Sequence, residues 1–320
     1  MQVNWLKSLY PDIREIIQDS LPSCWPELGG VLEKLFEEPI PLEAALPLAA
    51  CKAVNGDPKD AIHVTAAMLA FAVCLRIFDE LQDQDRPDQL WEKVGSARAW
   101  NYASSVHILC FEILSKAPLP PSIFHRINQT CIDTYFCIAA GQDRDLAGVT
   151  KTIEDYWKTI EMKTGSAYAT ACATGAMAGT ESSSLIQACG VYGHHSGMAV
   201  QILNDMDSIW QPDGITDLKQ GKITLPLLYG LQSNHSEREE LLSIVTANEI
   251  ASHADRIKEI LDHIDTKSFL IWAALKEREQ ALEAIKICPN AEGREVLESY
   301  LTGMFWDIDL LLEKPEGDKV

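Results

Sequence analysis

Ala66-Ala67-Met68-Leu69-Ala70-Phe71-Ala72-Val73-Cys74-Leu75 is an unbroken apolar run that passes through Arg76-Ile77 into Phe78-Asp79-Glu80-Leu81-Gln82-Asp83-Gln84-Asp85. The run has no Gly or Pro and no polar alternation, so it reads as a buried helix ending in an acidic cluster. Asp79 and Asp83 are four residues apart. If the helix continues through them, their carboxylates share a face one turn apart, suited to bridging hard divalent cations. A solvated acidic helix end is the plain alternative. The pattern recurs at Val200-Gln201-Ile202-Leu203-Asn204-Asp205-Met206-Asp207-Ser208-Ile209-Trp210. There Gln201, Asn204 and Ser208 share a helical face, Asp207 lies beside it, and Asp205 is rotated away by about 100°. Oxygen ligands of this kind suit Mg²⁺, which commonly bridges carboxylates to phosphate.

Outward from these two segments, apolar residues recur at three- and four-residue spacing, and the fold class read from the pattern is all-α. Breaks are expected near Pro39 to Pro41, Asn55 to Pro58, Arg86-Pro87, Pro118 to Pro121, Gly141, Ala178-Gly179, Pro212 to Gly214 and Pro289-Asn290, with helices of roughly 15 to 30 residues between them. Small residues crowd Gly165 to Gly179, which predicts a central helix that its neighbours approach closely. With no repeat and no Ser- or Gly-rich linker, residues 1–320 read as a single domain whose tail frays after about residue 312.

Composition narrows the function. Hydrophobic residues make up 47% and charged residues 23%, enough for a buried core. Asp and Glu number 47 against 27 Lys and Arg, a formal charge of -20, which argues against nucleic acid or anionic lipid as a partner. The apolar run is about half the length of a membrane span, and Asp12, Glu15 and Asp19 interrupt any candidate signal peptide. A cytoplasmic protein without stable membrane insertion is expected. Nine cysteines are scattered without a C-x-x-C pair, so they read as free core thiols in a reducing compartment.

With both acidic clusters in place, the chain resembles the trans-isoprenyl diphosphate synthase (polyprenyl synthetase) family over nearly its full length. The strongest match is Gln201 to Asp207 followed by Asp217-Leu218-Lys219-Gln220-Gly221-Lys222-Ile223-Thr224-Leu225-Pro226. Further matches are Asp79 to Asp83, with Glu80 in place of an Asp, then Gly141-Gln142, Asp145-Leu146 and Lys163-Thr164. The resemblance implies an antiparallel helical bundle around a central apolar cavity. It implies Mg²⁺ held by Asp79, Glu80 and Asp83 on one wall and by Asn204 with Asp207 or Ser208 on the other. Lys163, Lys219 and Lys222 would hold diphosphate oxygens, and Gln201 would lie against the allylic chain or a metal. The implied substrate is an allylic prenyl diphosphate and the implied assembly a homodimer. Asp79, Asp83, Asn204 and Lys163 are the residues expected to carry catalysis. Phe71, Cys74 and Leu75, one to two turns before Asp79, would line the cavity and set a farnesyl- or geranylgeranyl-sized chain; plain core packing is the alternative.

Two departures from the family shape the expected reaction. Elongating members hold isopentenyl diphosphate through a Gly-Gly-Lys-x-x-Arg tract and an Arg-Arg-Gly tract; here Leu35 to Cys51 has no Lys or Arg, and the second tract is reduced to Arg86-Pro87-Asp88. Asn204 to Ser208 also matches the start of the Asn-Asp-x-x-Ser-x-x-x-Glu motif of class I terpene synthases, although Pro212 stands at the Glu position. The sequence therefore favours a terpene synthase on a prenyl synthase fold, in which one diphosphate is ionised and its cation cyclised or quenched. The alternative is a prenyltransferase, either elongating with isopentenyl diphosphate bound through Arg86, Arg98 or Lys52, or using a neutral acceptor such as an indole or a peptide. The third reading is a noncatalytic subunit of a true synthase. Trp91, Trp100, Trp157 and Trp210 are candidates to stabilise a cation, Trp210 foremost. Arg294 and Tyr300 are candidates to close over the diphosphate. His194-His195 lacks a third ligand nearby and reads as structural.

Overall fold

The computed structural model describes residues 4–35, 45–83, 90–211 and 216–312. Every regular element among them is helical. The expected breaks at Pro39 to Pro41, Arg86-Pro87 and Pro212 to Gly214, and the tail after residue 312, lie outside the described residues. The chain divides into two compact units, one of residues 1–132, 170–190 and 285–300, the other of 133–169, 191–284 and 301–320.

In the first unit the Ile62–Asp83 helix packs along the Ser96–Ser115 helix. Ala66, Ala70, Val73, Cys74 and Ile77 on one, and Ala99, Ala103, Val106 and Cys110 on the other, are buried. The small side chains let the two backbones approach, and the larger ones fill what remains. Ile13 and Ile17 of the Tyr10–Asp19 helix are also buried, each contributing about 1.5–3 kcal/mol by removal from water. The span Pro58–Gln82 is long and apolar enough to cross a membrane by composition, because its apolar character extends beyond the ten-residue run, but 72% of the window is buried inside the protein. It is the core helix of this unit.

Two apolar clusters stand out among the described residues of the second unit. One gathers Tyr156, Ile160, Ile202, Leu228, Leu270 and Phe305; the other gathers Ile209, Leu218, Leu227, Leu241, Ile257 and Leu261. The Leu225–Gln232 helix serves both, since Leu228 faces the first cluster and Leu227, about 100° round the helix, the second. This eight-residue helix is shorter than the sequence pattern suggests.

Two glycines behave differently from expectation. The Pro121–Leu146 helix runs straight through Gly141, where an added Cβ would lie 2.9 Å from both Lys163 Cγ and Met162 Cβ. Close approach, not a chain break, is what this Gly permits. Gly165 ends a π-helical turn, Glu161–Gly165, inserted ahead of the Ser166–Gly179 helix. That helix is tightly packed, as its composition predicts: an added Cβ on Gly175 would meet the Pro47 backbone at 2.1 Å.

Candidate functional site

Each acidic cluster lies in its own unit. In the first, the Ile62–Asp83 helix does continue through Asp79 and Glu80 to Asp83. Asp79 is exposed, and the side chain of Asp83 lies outside the described residues. Glu80 is half-buried; one carboxylate oxygen stands 3.9 Å from Arg76 Nε, and the other is buried without a hydrogen-bond partner among the described residues. A buried carboxylate oxygen without a partner is costly, and a cation is the group that would satisfy it. One to two turns back, Phe71 and Cys74 are buried and Leu75 is half-buried, with the Phe71 ring 6.4 Å from that of His107.

In the second unit the Ser183–Trp210 helix presents Asn204 and Asp207 to solvent, neither side chain bonded to another among the described residues, and leaves Ser208 half-buried. The Ser208 hydroxyl donates to the Asp205 carbonyl at 2.8 Å, so its lone pairs stay available. Asp205 points the other way. Its carboxylate is buried and accepts from Gln201 Nε2 at 2.9 Å and from the Leu225 backbone N–H at 3.1 Å. Gln201 in turn accepts from Thr164 Oγ1 at 2.9 Å. The π-turn, the Ser183–Trp210 helix and the start of the Leu225–Gln232 helix are thus joined by one polar chain. Burial pushes the Asp205 carboxyl up to about 6, against the pull of these hydrogen bonds. Burial and the adjacent Asp205 charge push the Tyr156 phenol well above its ordinary range.

The three lysines flank this network. Lys163, on the π-turn, donates to Asp145 Oδ2 at 2.7 Å, an ion pair the sequence did not suggest. π-turns shift side chains off the α-helical register, and here the turn carries Lys163 and Thr164 together. Lys219, exposed, ends the Thr216–Lys219 helix. Lys222 follows a turn closed by its own N–H on the Asp217 carbonyl at 2.9 Å, with Gly221 at φ +74°, a conformation that favours Gly. The Asp-Leu-Lys-Gln-Gly-Lys string is a turn that spaces two cations.

Other candidates have structural employment. Trp210 donates from its indole N–H to Asp262 Oδ1 at 2.6 Å and packs against both apolar clusters. His195 Nδ1 lies 2.6 Å from Glu277 Oε2. Arg294 donates to the Cys288 carbonyl, and Tyr300 is buried. Lys52 pairs with Glu292 at 3.0 Å, and Arg98 donates to Tyr102 Oη at 3.0 Å. The tract from 36 to 44 and Arg86 lie outside the described residues.

Among the described residues no three His, Cys, Asp or Glu side chains converge as a ready metal cluster. Glu80 and the exposed Asp79, Asn204 and Asp207 nonetheless offer side-chain oxygens, the donors that hard divalent cations take.

The pattern that defines the polyprenyl synthetase family matches residues 44–264, over half of the chain. A geranylgeranyl diphosphate synthase of Mycobacterium tuberculosis (strain ATCC 25618 / H37Rv) is 29% identical over 219 residues, 64% of this chain and 62% of that relative. A short chain isoprenyl diphosphate synthase of Methanothermobacter thermautotrophicus is 27% identical over 303 residues, 89% of this chain and 91% of that relative. A crystal structure of geranylgeranyl pyrophosphate synthase from Corynebacterium glutamicum, complexed with calcium and isoprenyl diphosphate, superposes with a TM-score of 0.80 at 19% identity, covering 95% of this chain and 96% of that one. Farnesyl and octaprenyl diphosphate synthases are also among the relatives. The curated relatives are isoprenyl diphosphate synthases, not terpene synthases, and they overturn the expectation of a terpene synthase. The Asn-Asp-x-x-Ser likeness misled because Asn204 and Ser208 are two substitutions within a synthase motif whose flanking signature, Asp217 to Pro226, is otherwise kept. The chain belongs to the polyprenyl synthetase family.

Proposed function

We propose that this protein is a prenyltransferase that lengthens an allylic prenyl diphosphate with isopentenyl diphosphate. The observation that carries the reading is kinship with chain-lengthening synthases across both acidic clusters and the lysine-bearing turn. In this reading Asp79, Glu80 and Asp83, and separately Asn204 with Asp207 or Ser208, hold Mg²⁺. Bound there, the metal neutralises the diphosphate as it leaves. Lys163, Lys219 and Lys222 bind diphosphate oxygens, and Lys163 exchanges its Asp145 partner for substrate. Gln201, held between Thr164 and Asp205, keeps its carbonyl oxygen oriented. Phe71, Cys74 and Leu75 set chain length. Homodimerisation and a cytoplasmic location complete the reading.

The acceptor site departs from its relatives. Lys52 and Arg98 are engaged with Glu292 and Tyr102 and must, like Lys163, exchange those partners to bind isopentenyl diphosphate, so a high KM for it is expected. The same observation favours a second reading, transfer to an uncharged acceptor such as an indole or a peptide side chain. Purified protein with Mg²⁺ and geranyl, farnesyl or geranylgeranyl diphosphate, with and without isopentenyl diphosphate, separates the two. Longer diphosphates by mass spectrometry support elongation; no product with isopentenyl diphosphate, but prenylation of an indole or peptide, supports the second. Inertness toward every acceptor ends both.

A further inference from the structure

Within the first unit, Cys51, Cys172, Cys189 and Cys288 come from segments that meet at a junction lined with glycine. An added Cβ on Gly179 would lie 2.8 Å from Cys51 Sγ, and one on Gly293 would lie 2.2 Å from the Ala53 nitrogen. The Asn290 N–H donates to the Ala53 carbonyl at 3.0 Å, which seats the segment after Cys288 on the end of the Leu46–Ala53 helix. At this junction Cys189 Sγ and Cys288 Sγ are 3.9 Å apart, although the residues are 99 positions apart in the chain. A sulfur–sulfur bond needs about 2.05 Å, so about 1.9 Å of closure remains.

The two thiols are not equivalent. Cys189 is fully buried in the Ser183–Trp210 helix. Cys288 is also buried, in a segment whose neighbouring residues Lys286, Ile287 and Pro289 are exposed. The hydrogen bond with Cys189 lowers its thiol pKa, burial opposes this, and the charge of Arg294 adds to the lowering. Arg294 bonds the Cys288 carbonyl, and its positive charge beside that residue favours a thiolate on Cys288 over one on Cys189, so Cys288 is the nucleophile and Cys189 the resolving thiol.

We infer that Cys189 and Cys288 are an oxidisable pair, converted to an intramolecular disulfide by a hydroperoxide. The Cys288 thiolate attacks the peroxide O–O bond; sulfur takes one oxygen as sulfenic acid, and the other leaves, protonated, as water or alcohol. The Cys189 sulfur then displaces hydroxide from the sulfenic acid; its proton completes a second water, and the sulfur–sulfur bond forms. Two electrons pass from the thiols to the peroxide, and a thiol reductant reverses the change. The disulfide ties the Ser183–Trp210 helix to the segment leading into the Ala291–Met304 helix.

The test treats reduced full-length protein with hydrogen peroxide under native conditions, alkylates the remaining thiols after unfolding, and maps peptides by mass spectrometry without reductant. The expected result is a linked peptide pair containing Cys189 and Cys288, two hydrogens lighter than the free thiols and released by dithiothreitol. In Cys189→Ser, dimedone should label Cys288; in Cys288→Ser, Cys189 should stay unlabelled. Full alkylation of both residues in wild type, while exposed Cys24 is oxidised, overturns the inference, as does linkage of Cys288 to any other cysteine. Wild-type mapping decides the matter even if a variant folds poorly.

Discussion

The two acidic clusters look alike in sequence and differ in structure. At Asp79 to Asp83 an exposed carboxylate and a half-buried one with a partnerless oxygen stand at the end of an apolar helix. At Asn204 to Ser208 the exposed positions are Asn204 and Asp207, while Asp205 is 3% exposed and hydrogen-bonded inward. One residue of helix register, about 100°, turns a carboxylate from a group that faces cations into one that braces the protein. Counting acidic residues in a motif is therefore a poor count of ligands.

The largest test of that contrast is Asp79→Ala, expected to lower kcat by about 10³-fold at saturating Mg²⁺ in the prenyl-transfer assay. Near wild-type turnover would remove the first cluster from the reaction. Asn204→Ala is expected to cost about 10²-fold, because a neutral ligand contributes less than a carboxylate, and Asn204→Asp should lower the Mg²⁺ concentration for half-maximal rate. If Asn204→Asp has no effect on Mg²⁺ dependence, the exposed face of the second cluster is not where metal binds.

Asp205 is tested by stability in chelator-treated protein. Its folded pKa is raised to about 6 from 3.8, so the folded state binds the extra proton between those values. The stability this contributes is full below about pH 4 and is lost as pH rises through 6. Urea unfolding should show wild type losing about 2–3 kcal/mol relative to Asp205→Asn between pH 4 and pH 7. Parallel pH profiles would mean that Asp205 is not confined as described. The smallest effect is Gly221→Ala: nothing lies within 4 Å of an added Cβ, so only the φ of +74° resists, costing about 1–2 kcal/mol. The readout is a raised KM for the allylic substrate, because Lys222 moves with the turn; an unchanged KM would detach that turn from diphosphate binding.

Much of the site was legible because its signals are local. The helix through Asp79 and the outward face of Asn204 follow from spacing within single helices. The π-turn under Lys163 and Thr164 was not legible, because the small residues from Gly165 to Gly179 that follow it carry too little apolar contrast to reveal the shift in register. Gly141 read as a break because Gly weakens a helix; its role in admitting Lys163 and Met162 depends on a segment about twenty residues away. The terpene synthase expectation failed for a related reason: two side-chain substitutions and a missing basic tract outweighed the retained string from Asp217 to Pro226, which proved the better guide to kinship.

By itself the sequence determined the helical class, the family, and the oxygen-rich character of both clusters, because these rest on residue type and on spacing within single helices. Only the tertiary structure decided that Asp205 braces the start of the Leu225–Gln232 helix, that Lys163 rests on Asp145, and that Cys189 meets Cys288. Each of these is a contact between segments remote in the chain. Such contacts are set by which small residues let backbones meet, a property of packing that no local pattern records.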